Sequence, residues 1–386
     1  MSKLPYIVFG KPDIQQAEKA ELMDSLDSCW LGTGPKVKKF EQDFANYKGI
    51  ETAQVAAVNS CTAALHLSML AAGLAKGDEV ITTSMTFCAT INAIIHAGCT
   101  PVLADIKSDT YNIDPEEIIR KITPRTKAIV IVHYSGSPCD MDAIMAIARQ
   151  YKLKVIEDCA HAIESEYKGE KLGTIGDFGC FSFYVTKNMT TGEGGMVIGK
   201  QQDNIERIKT LALHGMSTDA WSRFSDNGYK HYQVVEPGFK YNMMDLQAAL
   251  GIHQLARLDI NWQKRQTLFQ QYISAFSGLP IQLPNPGDAD SKAAYHLFPV
   301  LIDEKSAAIS RDQFMLELHK KGIGTGVHYQ SIPSHQYYRE TYQWKAEDYP
   351  CAKKVGETTV SLPFSATLKQ PEIDYIIETT KALLSA

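Results

Sequence analysis

The stretch FSFYVTKNMTTGEGG, residues 181–195, sets one lysine, Lys187, between an aromatic strand-like run and a glycine-rich turn. Phe181, Phe183 and Tyr184 are expected to anchor the strand, and Gly192, Gly194 and Gly195 let the backbone turn close to a ligand. Working outward, the apolar runs AQVAAV, EVITTS, TPVLADI, KAIVIVHY and LKVIEDC alternate with helical patterns such as CTAALHLSMLAAGL and MDAIMAIARQY, and CFSFYV and GGMVIG complete the series. That alternation predicts an α/β fold of βαβ units, a mainly parallel sheet with helices on both faces. Ligands of such sheets bind at the carboxyl ends of the strands.

Two helical patterns, PDIQQAEKAELMDSLDSCW and VKKFEQDFANYKG, precede the sheet, and helical sequence runs from MMDLQAALGIHQL to about residue 277. The turn-rich LPNPGDADSK, residues 283–292, follows. A smaller α/β unit comes next: AYHLFPVLI reads as a strand, RDQFMLELHKKG as a helix ending at Gly322, and PEIDYIIETTKALLS as a terminal helix. The division is expected between 255 and 285, with residues 1–260 as the large domain carrying the N-terminal helices and 261–386 as the small one.

A chain of 386 residues with 44% hydrophobic and 22% charged residues can build a substantial core. Its net charge of −5, without a basic block, disfavours nucleic acid as a partner. The N-terminus MSKLPYIVFGKPD lacks the apolar core of a signal peptide, and no apolar run approaches the ~20 residues of a membrane span. The eight cysteines show no paired CxxC spacing. Reduced thiols, a cytoplasmic location and no metal site are the expectation.

A free lysine, with a pKa near 10.4, is a poor nucleophile at neutral pH, whereas an imine with a cofactor aldehyde makes it useful. Released, it moves protons between carbons. In IEDCAHA, residues 156–162, Asp158 follows an apolar run and falls at a strand end, where a carboxylate pairs with a protonated ring nitrogen. Glu157 should face the other way. His161 is placed to donate to a phenolic oxygen or to stack on a ring. In VNSCTAALHL, Ser60, Cys61 and Thr62 open a helix whose free amides suit a phosphate, although hydroxyl residues cap helices in any case. Ser182 adds a hydroxyl. Phe87, in TTSMTFCAT, is placed either to stack over a cofactor ring or to pack in the core.

Taken together, WLGTGPKVKKFE, NSCTAAL, TFCATINAI, IEDCAHA, FSFYVTKN with GEGG, and GFKYNMMDLQAALG resemble the nucleotide-sugar aminotransferases of pyridoxal-phosphate fold type I, the DegT group. The resemblance spans nearly the whole chain. It implies that Lys187 forms the internal aldimine with pyridoxal 5′-phosphate, that Asp158 holds the pyridine nitrogen, and that His161 and Phe87 contact the ring. Thr62 and Ser182 bind the phosphate, and Asn242 reaches the phosphate of the neighbouring subunit, which implies a homodimer with shared sites. Cys61 stands where many members carry glycine; its amide still donates if its φ is negative.

The resemblance further implies transfer of an amino group from L-glutamate, leaving 2-oxoglutarate, to a keto sugar on a nucleotide diphosphate. RTKAIVIVHYSGSPCDMDAI, LALHGMSTDAW and AYHLFPVLI are most similar to the branch that aminates carbon 4 of a UDP-sugar, the UDP-4-amino-4-deoxy-L-arabinose–oxoglutarate type. Enzymes that aminate carbon 3, or carbon 4 of 6-deoxy sugars, share most of these motifs. Relatives that remove a hydroxyl carry histidine in place of the lysine, and a non-catalytic regulatory protein would have lost Lys187, Asp158 and Thr62. His214, His328, Tyr329 and His335, with the turn from Trp30 to Gly34, are candidates to line a substrate cleft.

Overall fold

The computed structural model describes residues 5–217 and 232–385, so Thr218 to Trp221 of the LALHGMSTDAW stretch lie outside the described residues. Seven strands form the main sheet: β1 (Val55–Val58), β2 (Glu79–Thr83), β3 (Thr100–Ala104), β4 (Thr126–Val132), β5 (Lys154–Asp158), β6 (Phe178–Ser182) and β7 (Gly195–Gly199), in the order β1-β7-β6-β5-β4-β2-β3. β3, β2, β4, β5 and β6 pair in parallel, and β7 runs antiparallel to both β6 and β1. The fold is therefore the mainly parallel α/β sheet expected from the strand–helix alternation. β2 and β7 are buried along their whole length, which is why, apart from Glu79 at the start of β2, they read as apolar or β-branched runs rather than as alternating ones.

Helices α1 (Gln16–Asp27) and α2 (Pro35–Lys48) precede the sheet, and α3 (Cys61–Ala71), α4 (Cys88–His96), α5 (Pro115–Lys121), α6 (Met141–Tyr151) and α7 (Gln202–Ala212) are spaced between its strands or follow them. Local chemistry starts them: Ser60 caps α3 by accepting from the Ala63 N–H, and Asp140 caps α6 by accepting from Ala143. One core packs α2 and α6 against the sheet through Phe40, Phe44, Ile144 and Phe183. The other packs α3 and α7 through Leu65, Leu67, Ile205 and Ile208.

α8 (Asp245–Ala256) leads into α9 (Leu258–Phe276), which carries the chain from the first core, where Leu258 packs, to a separate one built on Phe269, Tyr272, Phe276, Phe298 and Phe314. The position 260–261 lies inside this helix. Beyond it, β8 (Ile281–Gln282), β9 (Pro299–Ile302) and β10 (Thr359–Ser361) form a three-stranded antiparallel sheet, covered by α10 (Arg311–Lys320) and the terminal helix α11 (Gln370–Leu384).

Two local readings are corrected. AYHLFPVLI is a strand only over Pro299–Ile302, because Tyr295 takes a φ of 49° and the N–H groups of Ala294 and His296 are committed to Gly136 and Ser135. Tyr184 does not anchor β6; the strand ends at Ser182 and Tyr184 is 44% exposed.

Asp245 joins the two ends of the large unit. It is fully buried, and its carboxylate accepts from Gly34 N–H at 2.8 Å and from Lys36 and Val37 N–H at 3.0 Å each, capping α2 from a distant helix. Asp245→Ala leaves one buried and two partly buried amides without acceptors and should cost about 3 kcal/mol, read as a lower midpoint in chemical denaturation. An unchanged midpoint would show that water replaces the carboxylate.

Candidate active site

Asp158 is the last residue of β5, at the carboxyl edge of the parallel strands. Its side chain is buried; Oδ1 accepts from the Ala160 N–H at 3.1 Å and Oδ2 from the Thr90 hydroxyl at 2.9 Å, while the Cys61 thiol lies 3.9 Å from Oδ1. Thr90 in turn meets Thr86, which precedes the helix, at 2.8 Å. Burial is the largest influence on Asp158 and pushes its pKa up, opposed by the Ala160 and Thr90 hydrogen bonds and by the charge of Lys187.

Glu157 points to the opposite face, as the strand period requires. It accepts from His133 Nε2 at 3.1 Å and from the N–H groups of Gly173, Ile175 and Gly176. Burial works to raise its pKa, but His133 and these amides hold it below the usual range. Glu157 thus secures the floor beneath the site rather than acting in it.

Lys187 stands in a turn after β6, half-buried, with its N–H on the Tyr184 carbonyl. Burial brings its amine down to about 8, against the opposing pull of Cys61 and Asp158. Covalent uptake of pyridoxal phosphate by the cofactor-free protein needs the uncharged amine, whose fraction grows with pH. The uptake rate should therefore rise through a midpoint near 8; a midpoint near the ordinary lysine value of ~10.4 would show an unperturbed side chain.

The phosphate end is made by backbone. The N–H groups of Cys61 and Thr62, at the first turn of α3, have no acceptor among the described residues, because Ser60 serves only Ala63 and Ala64. The GEGG turn presses against this point: a Cβ on Gly195 would sit 2.5 Å from the Ser60 carbonyl carbon and 2.7 Å from Cys61 N, and Gly192 takes a φ of 81°. Cys61, Thr62, Phe87, Asp158, His161, Ser182, Lys187, His328 and Tyr329 all border one cavity of about 550 Å³. Open amides and hydroxyls, a buried carboxylate and a deprotonatable lysine around one cavity fit the phosphate, ring nitrogen and aldehyde of pyridoxal phosphate. A second cavity, of about 580 Å³, is lined by Asp109, Asp140 and Asp288 among others and contains none of these residues.

His161 differs from expectation in one respect. Its Nδ1 accepts from the Ser135 N–H at 3.3 Å, so Nε2 carries the proton and donates to the Tyr329 hydroxyl at 2.9 Å. Both nitrogens are committed within the protein, which leaves the ring face, not a donor, for a cofactor. Burial holds its pKa well below the usual value, with Lys187 and His328 adding to the effect. Phe87 is 57% exposed at the start of α4, its ring 5.9 Å from that of Tyr329, so it belongs to the cavity mouth rather than to the core. His328 stacks on Phe9 at 5.1 Å and meets the Ser361 hydroxyl at 2.9 Å, and burial lowers its pKa to about 4.

Several candidates lie elsewhere. His214 is exposed, with its N–H on the Phe239 carbonyl, and does not border the cavity of its own chain. His335 starts a short helix and packs on Tyr338. Asn242 donates to the Thr33 hydroxyl at 2.6 Å, outside the cavity, and Thr33 reaches the Met243 carbonyl, so the Trp30–Gly34 turn sits beside Asn242. Sequence reasoning missed Thr90, although it lies within TFCATINAI, and it missed His296 and Phe9, which carry no motif signal.

The antiparallel β7 within a parallel sheet, the buried Asp158 at a strand end and Lys187 facing the same cavity define a pyridoxal-phosphate enzyme of fold type I. The chain belongs to the DegT/DnrJ/EryC1/StrS aminotransferase family, matched over residues 12–381. It is 44% identical over 380 residues to the spore coat polysaccharide biosynthesis protein SpsC of Bacillus subtilis, covering 98% of this chain and 97% of that one. Among solved structures it is similar to the pyridoxal-phosphate form of the putative sugar aminotransferase Spr1654 of Streptococcus pneumoniae, with 33% identity, a TM-score of 0.92 and coverage of 98% and 99% of the two chains. It also resembles PseC of Helicobacter pylori, an aminotransferase involved in the biosynthesis of pseudoaminic acid, with 28% identity, a TM-score of 0.90 and coverage of 98% and 99%.

Proposed function

We propose that this chain transfers an amino group from L-glutamate to a keto sugar carried on a nucleotide diphosphate, at carbon 4 of a UDP-sugar, in the cytoplasm. The observation that carries this reading is Lys187, with its lowered pKa, in the same cavity as the buried Asp158 and the open amides of α3. Sugar transamination is the activity of the family. The cofactor is pyridoxal phosphate, which when bound supplies an aldehyde to carry the amino group and a ring that accepts electrons from the substrate carbon.

The chain's own residues account for the rest. Asp158 sits where a carboxylate keeps a pyridine nitrogen protonated, and that positive charge draws its raised pKa back down. Thr90 and the Ala160 amide fix the orientation of the carboxylate. The amides of Cys61 and Thr62, with the Thr62 and Ser182 hydroxyls, hold the phosphate. His161 presents its ring face, kept in place by Ser135 and Tyr329. Lys187 Nζ, once free, takes the proton from the α-carbon of glutamate and returns one to the sugar carbon.

In this reading His328 and Tyr329 line the sugar side of the cavity, His214 serves a partner's site, and the division at 260–261 separates the cofactor-binding unit from the small one. A homodimer with shared sites is supported by Asn242, which does not border its own chain's cavity and bonds to Thr33 in the turn that carries the exposed Trp30 and Leu31. The SpsC relationship supports a product used in polysaccharide biosynthesis.

The carbon-3 reaction is the alternative regiochemistry. Mass spectrometry after incubation with L-glutamate and a panel of nucleotide keto sugars tests the proposal. A UDP-sugar aminated at carbon 4, with 2-oxoglutarate formed in equal amount, is the expected result. An amine at carbon 3 would move the reading to the alternative, and 2-oxoglutarate without any aminated nucleotide sugar would overturn the acceptor.

A further inference from the structure

His296 is 5% exposed and borders the cavity, yet nothing in the scheme above uses it. Its tautomer is fixed by the residue after the catalytic lysine. Asn188 Nδ2 lies 2.9 Å from each oxygen of the buried Glu164 and 2.9 Å from the Ala294 carbonyl. Only an NH2 group can face three acceptors, so it is Asn188 Oδ1 that meets His296 Nδ1 at 2.9 Å, and Nδ1 must donate. Burial, reinforced by His161 and Lys187, holds the imidazole pKa well below the usual value, so the ring is neutral. Nε2 is then a lone-pair acceptor. It meets no donor among the described residues and is not sealed from solvent, so it touches free volume. The cavity is the volume this residue borders.

The chemistry of the reactants selects what such an acceptor can bind. The carboxylates of glutamate and the phosphates of the cofactor and nucleotide are acceptors themselves, and a lone pair repels them. The amino group is consumed by the reaction. Hydroxyls and base N–H groups of the sugar nucleotide remain as donors, and of these the acceptor sugar is the part that must reach Lys187 in the same cavity. We infer that His296 Nε2 accepts a hydrogen bond from a hydroxyl of the acceptor sugar, and that Glu164 and Asn188 act as positioning residues that hold the imidazole in the accepting form. The inference rests on the keto-sugar reading above and deepens it: His296 selects sugars that carry that hydroxyl.

The test uses His296→Phe, which keeps a ring against His161 and removes the acceptor, with the keto-sugar nucleotide accepted by the wild type and its monodeoxy analogues. For wild type, one analogue should lose about tenfold in kcat/KM, the range of a single neutral hydrogen bond. His296→Phe should lose about as much with the full sugar, lose little more with that analogue, and keep its glutamate half-reaction within about twofold. His296→Gln, which restores an oxygen near the Nε2 position, should recover part of the discrimination.

Nitrogen-15 NMR of histidine-labelled, cofactor-free protein, assigned by loss of the signal in His296→Phe, should show the Nδ1–H tautomer. An Nε2–H tautomer, unchanged discrimination among the deoxy analogues, or an equal loss in both half-reactions would each overturn the inference. If wild type bleaches with glutamate but accepts no nucleotide keto sugar, the functional reading itself fails and the inference falls with it. That outcome is distinct from a working wild type whose discrimination ignores His296.

Discussion

Lys187→Ala is expected to abolish transamination, with a loss of roughly 10,000-fold or more, while the protein stays folded. Two functions disappear together: the covalent hold on the cofactor and the base that moves the proton. The fold should tolerate the change, because the side chain is desolvated, its pKa falls to about 8, and an alanine has no charge to bury. The thermal midpoint should therefore be no lower than that of wild type. The amides of Cys61 and Thr62 and the Asp158 carboxylate remain, so pyridoxal phosphate should still bind, without the imine absorption. Exogenous small amines should restore a little turnover. Normal turnover in Lys187→Ala would remove the basis of the assignment.

Asp158→Asn is expected to lower kcat by about two to four orders of magnitude with little loss of stability. Asparagine keeps an oxygen for the Ala160 N–H, and Thr90 can rotate to suit an amide, so the local bonds survive while the charge opposite the ring nitrogen is lost. Asp158→Ala should lose as much rate and also about 1–3 kcal/mol of stability, because the buried Thr90 hydroxyl and the partly buried Ala160 amide lose their acceptor. The pair of variants separates charge from structure. If Asp158→Asn worked as well as wild type, the carboxylate would be a strand-end cap and nothing more.

Much of this site is local, and local features are legible in sequence. Ser60 caps the helix it precedes, Asp158 ends the strand that LKVI begins, and strand alternation alone turns Glu157 away from Asp158. The fold was readable for the same reason: β2 and β7 are buried throughout and stand out as apolar or β-branched runs between helical patterns.

The features that escaped depend on contacts between distant segments. The proton on His161 is placed by Ser135 and Tyr329, residues 26 and 168 positions away. His296 sits in a segment that looks like a strand but is diverted by the positive φ of Tyr295 and by hydrogen bonds to Ser135 and Gly136. Its accepting nitrogen becomes evident only when Asn188 is seen between Glu164 and the imidazole. Asn242 does not border its own chain's cavity, so its proposed role concerns a second copy of the chain.

The most direct test of the central claim is the visible absorption of the purified protein through one complete cycle. The account predicts a yellow protein that bleaches on addition of L-glutamate, releases one equivalent of 2-oxoglutarate per site, and regains its colour when a UDP-4-keto sugar is added. A protein that stays colourless after incubation with pyridoxal phosphate, or that stays yellow in saturating glutamate, would contradict it.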